Sequence, residues 1–304
     1  MKLISPVPFT RALALTSEEA LIYAFRSSEP SVNLLAMTVL EKAARTPADA
    51  ALLATKPHLV TELLHRWLLS PHAHVGAKGR RVFGDILDID CELPPPPRDS
   101  VEVQTDIVRR RAPGRGAMWR LIFRDREVYQ LLLDICSGRH PDTAGADGRQ
   151  LSLAQGRLLD VLPRLAVLNL HAVTESDFPA GRPTHATNGG GHLDGEADTD
   201  RPGNGGLLQF GALRMVNKND TLMHLNLVTF FEGFVSLMRA TQHSPYKLET
   251  VRGLLREATA DDEMLKAALL SLPDRTVPEE ADELREWLQQ VLPGEPVRIG
   301  GHWS

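Results

Sequence analysis

Four histidines close together in the chain, His58, His65, His72 and His74, are the residues nearest to metal chemistry, since imidazole nitrogen is a common ligand for zinc and similar ions. Their spacing argues against a site. His58 and His65 are seven apart, on one helical face but two turns distant, while His72 and His74 fall near a helix start, and no carboxylate or thiolate stands at a ligand spacing. Solvated or capping histidines and no bound metal are expected. Asp85, Asp88 and Asp90, with Glu92 beyond, could pair for acid and base work. Beside Lys78 and Arg81 they fit the wet side of an amphipathic helix, without the burial that would perturb their pKa values. Gly189, Gly190, Gly191, Gly203, Gly205 and Gly206 lack the Lys and Ser/Thr of a phosphate loop and the strand that must precede a dinucleotide fingerprint. No serine sits in a nucleophile elbow. The expectation is a non-enzyme with no catalytic residue, cofactor or small-molecule substrate.

Arg109, Arg110, Arg111, Arg115, Arg120, Arg124 and Arg126 form a basic run able to meet phosphates. Asp106, Asp125 and Glu127 temper it, and only Trp119 and Phe123 supply aromatic faces for stacking bases. A net charge of -5 and a pI near 6.1 give the whole chain no electrostatic reason to seek a polyanion. Nucleic acid is therefore not the expected partner. Cys91 and Cys136 sit in apolar runs, too few for a disulfide framework, and read as reduced thiols. No window of about 18 apolar residues for a bilayer span is apparent, nor a leader peptide, so a cytosolic or nuclear protein without a membrane partner is expected.

The elements that must carry these residues are helices. Leu59, Leu63 and Trp67 lie four apart, as do Val60, Leu64 and Leu68, so two adjoining ridges make one broad apolar face. Alternation with period two is nowhere sustained. Thr16 with Glu19 fits a capping box, and Thr46-Pro47 and Ser70-Pro71 place proline at helix starts. An internal repeat at an offset of 43 pairs Leu21 with Leu64, Phe25 with Leu68, Ala36 with Gly79, Val39 with Val82 and Leu40 with Phe83. A period of 40 to 47 residues belongs to armadillo and HEAT arrays. A looser echo at 46 pairs Val82, Ile86 and Leu87 with Val128, Leu132 and Leu133. Two stretches break the pattern: Leu93–Gly116 opens on four prolines and ends basic, and Asp177–Gly206 holds eight glycines. Both read as disordered excursions. The fold expected is all-α, an armadillo/HEAT-like α-solenoid: N-terminal repeats over 1–92, a Pro/Arg-rich loop over 93–116, middle repeats over 117–176, a Gly-rich linker over 177–206 and C-terminal repeats over 207–304.

Ile4-Ser5-Pro6-Val7-Pro8-Phe9, Leu40-Glu41-Lys42-Ala43, Val82-Phe83-Gly84-Asp85-Ile86-Leu87 and Leu222-Met223-His224-Leu225-Asn226-Leu227-Val228 running into Phe230-Phe231 resemble the 26S proteasome non-ATPase regulatory subunit 5 family, whose fungal members also carry a DNA mismatch-repair label. The resemblance implies an armadillo/HEAT solenoid that acts as an assembly chaperone for the proteasome regulatory particle, gripping the C-terminal domain of one ATPase subunit. No family binding motif is specific enough to transfer residue by residue. The chain starts almost inside a repeat, so a shortened family member is expected, with Leu15, Leu21, Ile22 and Phe25 left uncovered.

The repeat also places a binding face. On the helix from Val75 to Ile89, a step of about 100° per residue gathers Val75, Gly79, Val82, Phe83, Ile86 and Ile89 on the core side. Lys78, Arg81, Asp85 and Asp88 then fall together on the other side, and their counterparts 43 residues earlier are Leu35, Thr38, Lys42 and Arg45. A mixed-charge ladder on the concave face of the array is expected to meet a protein partner.

Overall fold

The computed structural model describes residues 7–92, 113–144, 148–178 and 205–292. Helix accounts for 77% of them, and no strand occurs among the described residues. The elements are α1 (Phe9–Leu15), α2 (Glu18–Arg26), α3 (Pro30–Leu40), α4 (Pro47–Ala54), α5 (Pro57–Leu69), α6 (Ala73–Ile89), α7 (Ala117–Arg124), α8 (Arg126–Ser137), α9 (Arg149–Leu168), α10 (Leu170–Thr174), α11 (Leu207–Gln209), α12 (Thr221–Arg239), α13 (Pro245–Thr259), α14 (Glu263–Ser271) and α15 (Pro278–Val291). A 3-10 turn, Glu41–Arg45, follows α3, and a π-helical turn, Phe210–Arg214, follows α11.

Short polar side chains start several of these helices by taking up backbone N–H groups that the first turn leaves unpaired. Thr46 accepts from Asp49 with Pro47 in the first turn of α4, Asp125 accepts from Glu127 and Val128 at α8, and Ser244 accepts from Lys247 at α13. Two helices start elsewhere than expected. Ser17, not Thr16, caps α2, and α6 begins at Ala73, so Pro71 precedes the helix instead of opening it.

Every third helix, counting the short α10 and α11, packs on the one three before it: α6 on α3, α9 on α6, α12 on α9, and α15 on α12. Beside that row α2 packs on α5, α5 on α8, and α4 on α7. One continuous apolar cluster runs from Phe9 to Val291. The repeat at 43 corresponds to a real equivalence, α2 with α5 and α3 with α6, and the paired side chains Leu21, Leu64, Phe25, Leu68, Ala36, Leu40 and Phe83 are buried. Gly79 is small for a packing reason: a Cβ there would lie 2.7 Å from Cβ of Trp67, whose ring stacks on Phe83 with centroids 4.9 Å apart. The echo at 46 is not a third copy. It pairs α6 with α8, which packs beside α5 and occupies a different place in the sequence of contacts. Leu21 and Phe25 are not left uncovered either, because α3 and α5 close over α2; Leu15 is exposed.

Most of the two expected excursions, 93–112 and 179–204, lies outside the described residues. Their described ends are tied to the helices. The N–H of Gly114 donates to Cys91 O at 2.8 Å and that of Gly116 to Asp90 O at 2.9 Å, while Gly206 donates to Thr174 O at 2.8 Å. No Cβ could fit at Gly114, where it would fall 2.0 Å from the Asp90 carbonyl carbon.

One helix departs from the expected absence of a span. α12 has 19 residues and a mean hydropathy of 1.3 in its most apolar window, long and apolar enough to cross a bilayer by length and composition. It packs as a core helix, with Phe231, Phe234 and Val235 fully buried.

Candidate functional site

The polar side of α6 forms as its periodicity requires, with Val75, Gly79, Val82, Phe83, Ile86 and Ile89 buried on the other side. Its charges are engaged within the molecule. Lys78 Nζ and Arg81 Nη2 both donate to Glu41 on the 3-10 turn after α3, at 2.5 and 2.7 Å. Burial works to raise the Glu41 carboxyl, but Lys78 and Arg81 together hold it below its ordinary value. Asp85 and Asp88 share Arg164 of α9, at 2.8 and 3.1 Å. The ladder therefore joins α3, α6 and α9 to each other.

Its earlier rung differs from the expected one. Lys42 is only 3% exposed and donates from Nζ to Val7 O at 2.9 Å, so it belongs to the interior and presents no charge to a partner. Burial is the main cause of its lowered pKa, with Arg45 adding to the shift. Thr38 turns its hydroxyl back to Leu34 O at 2.8 Å, as a mid-helix threonine readily does, whereas Leu35 and Arg45 are exposed. Asp90, placed by sequence on the wet face, is buried: its carboxylate accepts the N–H groups of Arg115 and Met118 at 3.2 and 2.6 Å. It caps α7 from a distance, a task that the helix's own preceding residue, Gly116 in the left-handed region, cannot perform.

Helix α9 supplies contacts that sequence reasoning missed. Arg157 donates to Trp67 O and Leu68 O at the end of α5, at 2.8 and 3.0 Å. Its guanidinium lies over Gly76, where a Cβ would approach Nε to 2.4 Å. Seven residues on, Arg164 lies over Gly84 in the same way. In the preceding unit the carbonyls ending α2 are met by Asn33, which donates to Phe25 O and Ser27 O, and by Arg66 of α5, whose Nε also donates to Phe25 O. At an offset of 43 Asn33 becomes Gly76, and the gap so made admits an arginine from the next helix in the row.

Beyond Arg164 the surface opens into a groove of about 780 Å³ between α9 and α12. It continues past Asp160 and Arg164 into a second cleft of about 500 Å³ between α6 and α9. Gly156 and Gly233 leave its walls open: a Cβ at Gly233 would meet nothing within 4 Å. Leu222 and Leu237 of α12 line it and are 66% and 44% exposed. Helix α12 is thus apolar on two sides, with phenylalanines in the core and leucines toward the groove.

The described part of the basic segment lines a smaller cleft of about 310 Å³, where Trp119, Arg120, Phe123 and Arg124 stand among the carboxylates of Glu92, Glu175 and Asp177. Arg109, Arg110 and Arg111 lie outside the described residues. Arg120 pairs with Glu92 at 2.9 Å, and Arg124 lies 3.7 Å from Asp177. Comparison of the chain with family models, with curated proteins and with solved structures returns no match.

Proposed function

We propose that this chain is a non-catalytic protein-binding scaffold, an armadillo-like array of three-helix units in which α3, α6, α9, α12 and α15 line the binding side. The observation that carries the reading is the second apolar side of α12. Leu222 and Leu237 stand about four turns apart along α12, toward the two ends of the groove, with Leu153 and Phe230 also lining it, so apolar side chains recur along its length. Arg164, Asp160 and Arg80 at one end of the groove supply a polar border of the kind that surrounds an apolar contact.

The partner follows from the resemblance to the proteasome regulatory subunit 5 family: the C-terminal domain of an ATPase subunit of the regulatory particle, held while the base assembles in cytosol or nucleus. Purified C-terminal domains of the proteasomal ATPases, offered one at a time to the immobilised chain, test this directly. One should bind. Leu222→Glu with Leu237→Glu should then weaken binding at least tenfold, about 1.4 kcal/mol, with the helical spectrum unchanged. Full affinity in that variant would remove the groove from the reading. Failure of every ATPase domain to bind would remove the proteasomal partner. The pairing of Arg120 and Arg124 with carboxylates gives no support to the alternative, a mismatch-repair factor that contacts DNA.

A further inference from the structure

Three potential ligand residues converge where α5 meets the turn after α8: His65 near the end of α5, and His140 and Asp142 in that turn. One donor atom from each lies within 4.8 Å of the others. Nε2 of His65 is 3.0 Å from Oδ2 of Asp142, and Nδ1 of His140 is 3.9 Å from the same oxygen. Around a tetrahedral zinc with bonds of roughly 2.0 Å, donor atoms stand about 3.3 Å apart, between these two distances. The imidazoles meet edge to face, with centroids 5.2 Å apart and planes at 64°.

The turn is held without help from an ion. Gly138, at φ 77°, ends α8; the N–H groups of Arg139 and His140 both donate to Asp134 O at 3.0 Å, and Thr143 donates to His140 O at 2.9 Å. Asp142 N–H donates to Nδ1 of His140 at 3.2 Å, which requires that nitrogen to carry its lone pair. A metal taking Nδ1 replaces this one long hydrogen bond. Glu62, one turn before His65, is engaged by Arg26 at 2.8 Å and is not needed as a donor.

We propose that His65, His140 and Asp142 form a binding site for a divalent transition metal of the zinc type, with the remaining position left to water. Two imidazoles and one carboxylate suit zinc and its neighbours, and three protein ligands with an open position are an established zinc arrangement. Hard cations such as magnesium prefer all-oxygen shells and are not expected to bind here. The ion would tie the turn after α8 to α5, elements joined across 77 residues of chain.

The test is calorimetric titration of the chelator-stripped, full 304-residue chain with zinc chloride in a non-coordinating buffer. About one zinc per chain is expected. His65→Gln with His140→Gln should weaken that binding on the order of 100-fold, and Asp142→Asn, which leaves both rings packed, on the order of 10-fold. His72→Gln with His74→Gln, which removes a neighbouring ring pair with centroids 5.7 Å apart, should leave the affinity unchanged. The proposal is overturned if zinc binds no tighter than millimolar, if binding survives Asp142→Asn and the His65 and His140 changes, or if it is lost only with His72 and His74. Magnesium binding in place of zinc would overturn it equally.

Discussion

Asp90 and Asp262 are buried carboxylates used as helix caps, and their surroundings push them in opposite directions. At Asp262 burial works to raise the pKa, but the Leu265 N–H, Lys218 and His224 outweigh it and hold the group low. Lys218 Nζ is 2.9 Å and His224 Nε2 2.8 Å from the same oxygen. At Asp90 burial prevails over the Met118 and Arg115 N–H groups, and the pKa is raised. The stability signs follow by linkage. Asp262, lower folded than unfolded, contributes stability above its unfolded pKa, and that contribution is lost as pH falls through the folded value. Asp90, higher folded than unfolded, contributes its share below the unfolded pKa and loses it as pH rises through the folded value. Urea midpoints measured between about pH 2 and 7 should therefore fall less on acidification in Asp262→Asn than in the unmodified chain. In Asp90→Asn the decline with rising pH through the weakly acid range should disappear. A second residue-scale prediction concerns Gly76, where a methyl group would displace the Arg157 guanidinium from Trp67 O and Leu68 O. Gly76→Ala should cost about 1–3 kcal/mol, although alanine is the better helix former, as read by urea denaturation. An unchanged or raised midpoint would show that the arginine moves aside freely.

At the scale of elements, α9 fastens the row together. Arg157 and Arg164, two turns apart, both reach α5 or α6, and Gln150, two turns earlier again, donates to Leu69 O. Arg164 and its partners Asp85 and Asp88 are each about a third exposed, so water screens the pairing, and Arg164→Ala should cost only about 0.5–1 kcal/mol. Arg164→Asp should cost more, because three carboxylates then meet; adding Asp85→Arg should restore part of the loss in a double-mutant cycle. Additive effects would mean that the pair is not coupled. This seam explains what sequence could and could not disclose. The equivalence of α2 with α5 and of α3 with α6 was legible because apolar spacing is local and was copied at a fixed offset. Arg157 and Arg164 were not, since their partners lie 76 to 90 residues away in the chain. His65 was weighed as a ligand against its sequence neighbours, while the residues that face it come from beyond α8. Asp90 looked like Asp85 and Asp88 because nothing in the spacing says that the helix stops at Ile89.

For the whole molecule, far-UV circular dichroism should report a predominantly helical chain, and a strand content above roughly a fifth would contradict the fold. The ends of the two long excursions carry a further consequence. Cys91 and Gly114, Asp90 and Gly116, and Thr174 and Gly206 are joined by main-chain hydrogen bonds, so at each place the chain departs from and returns to nearly the same point. Each excursion is a ring closed at its base by these bonds. Halving either ring should change loop-closure entropy by only about 0.6 kcal/mol. Replacing 93–112 or 179–204 with a short Gly/Ser tether should thus leave the thermal midpoint within a few degrees, and a large fall would mean that the replaced residues pack. The same geometry offers two sockets for foreign cargo, where a fluorescent domain with neighbouring termini could be spliced in while the helices stay in register.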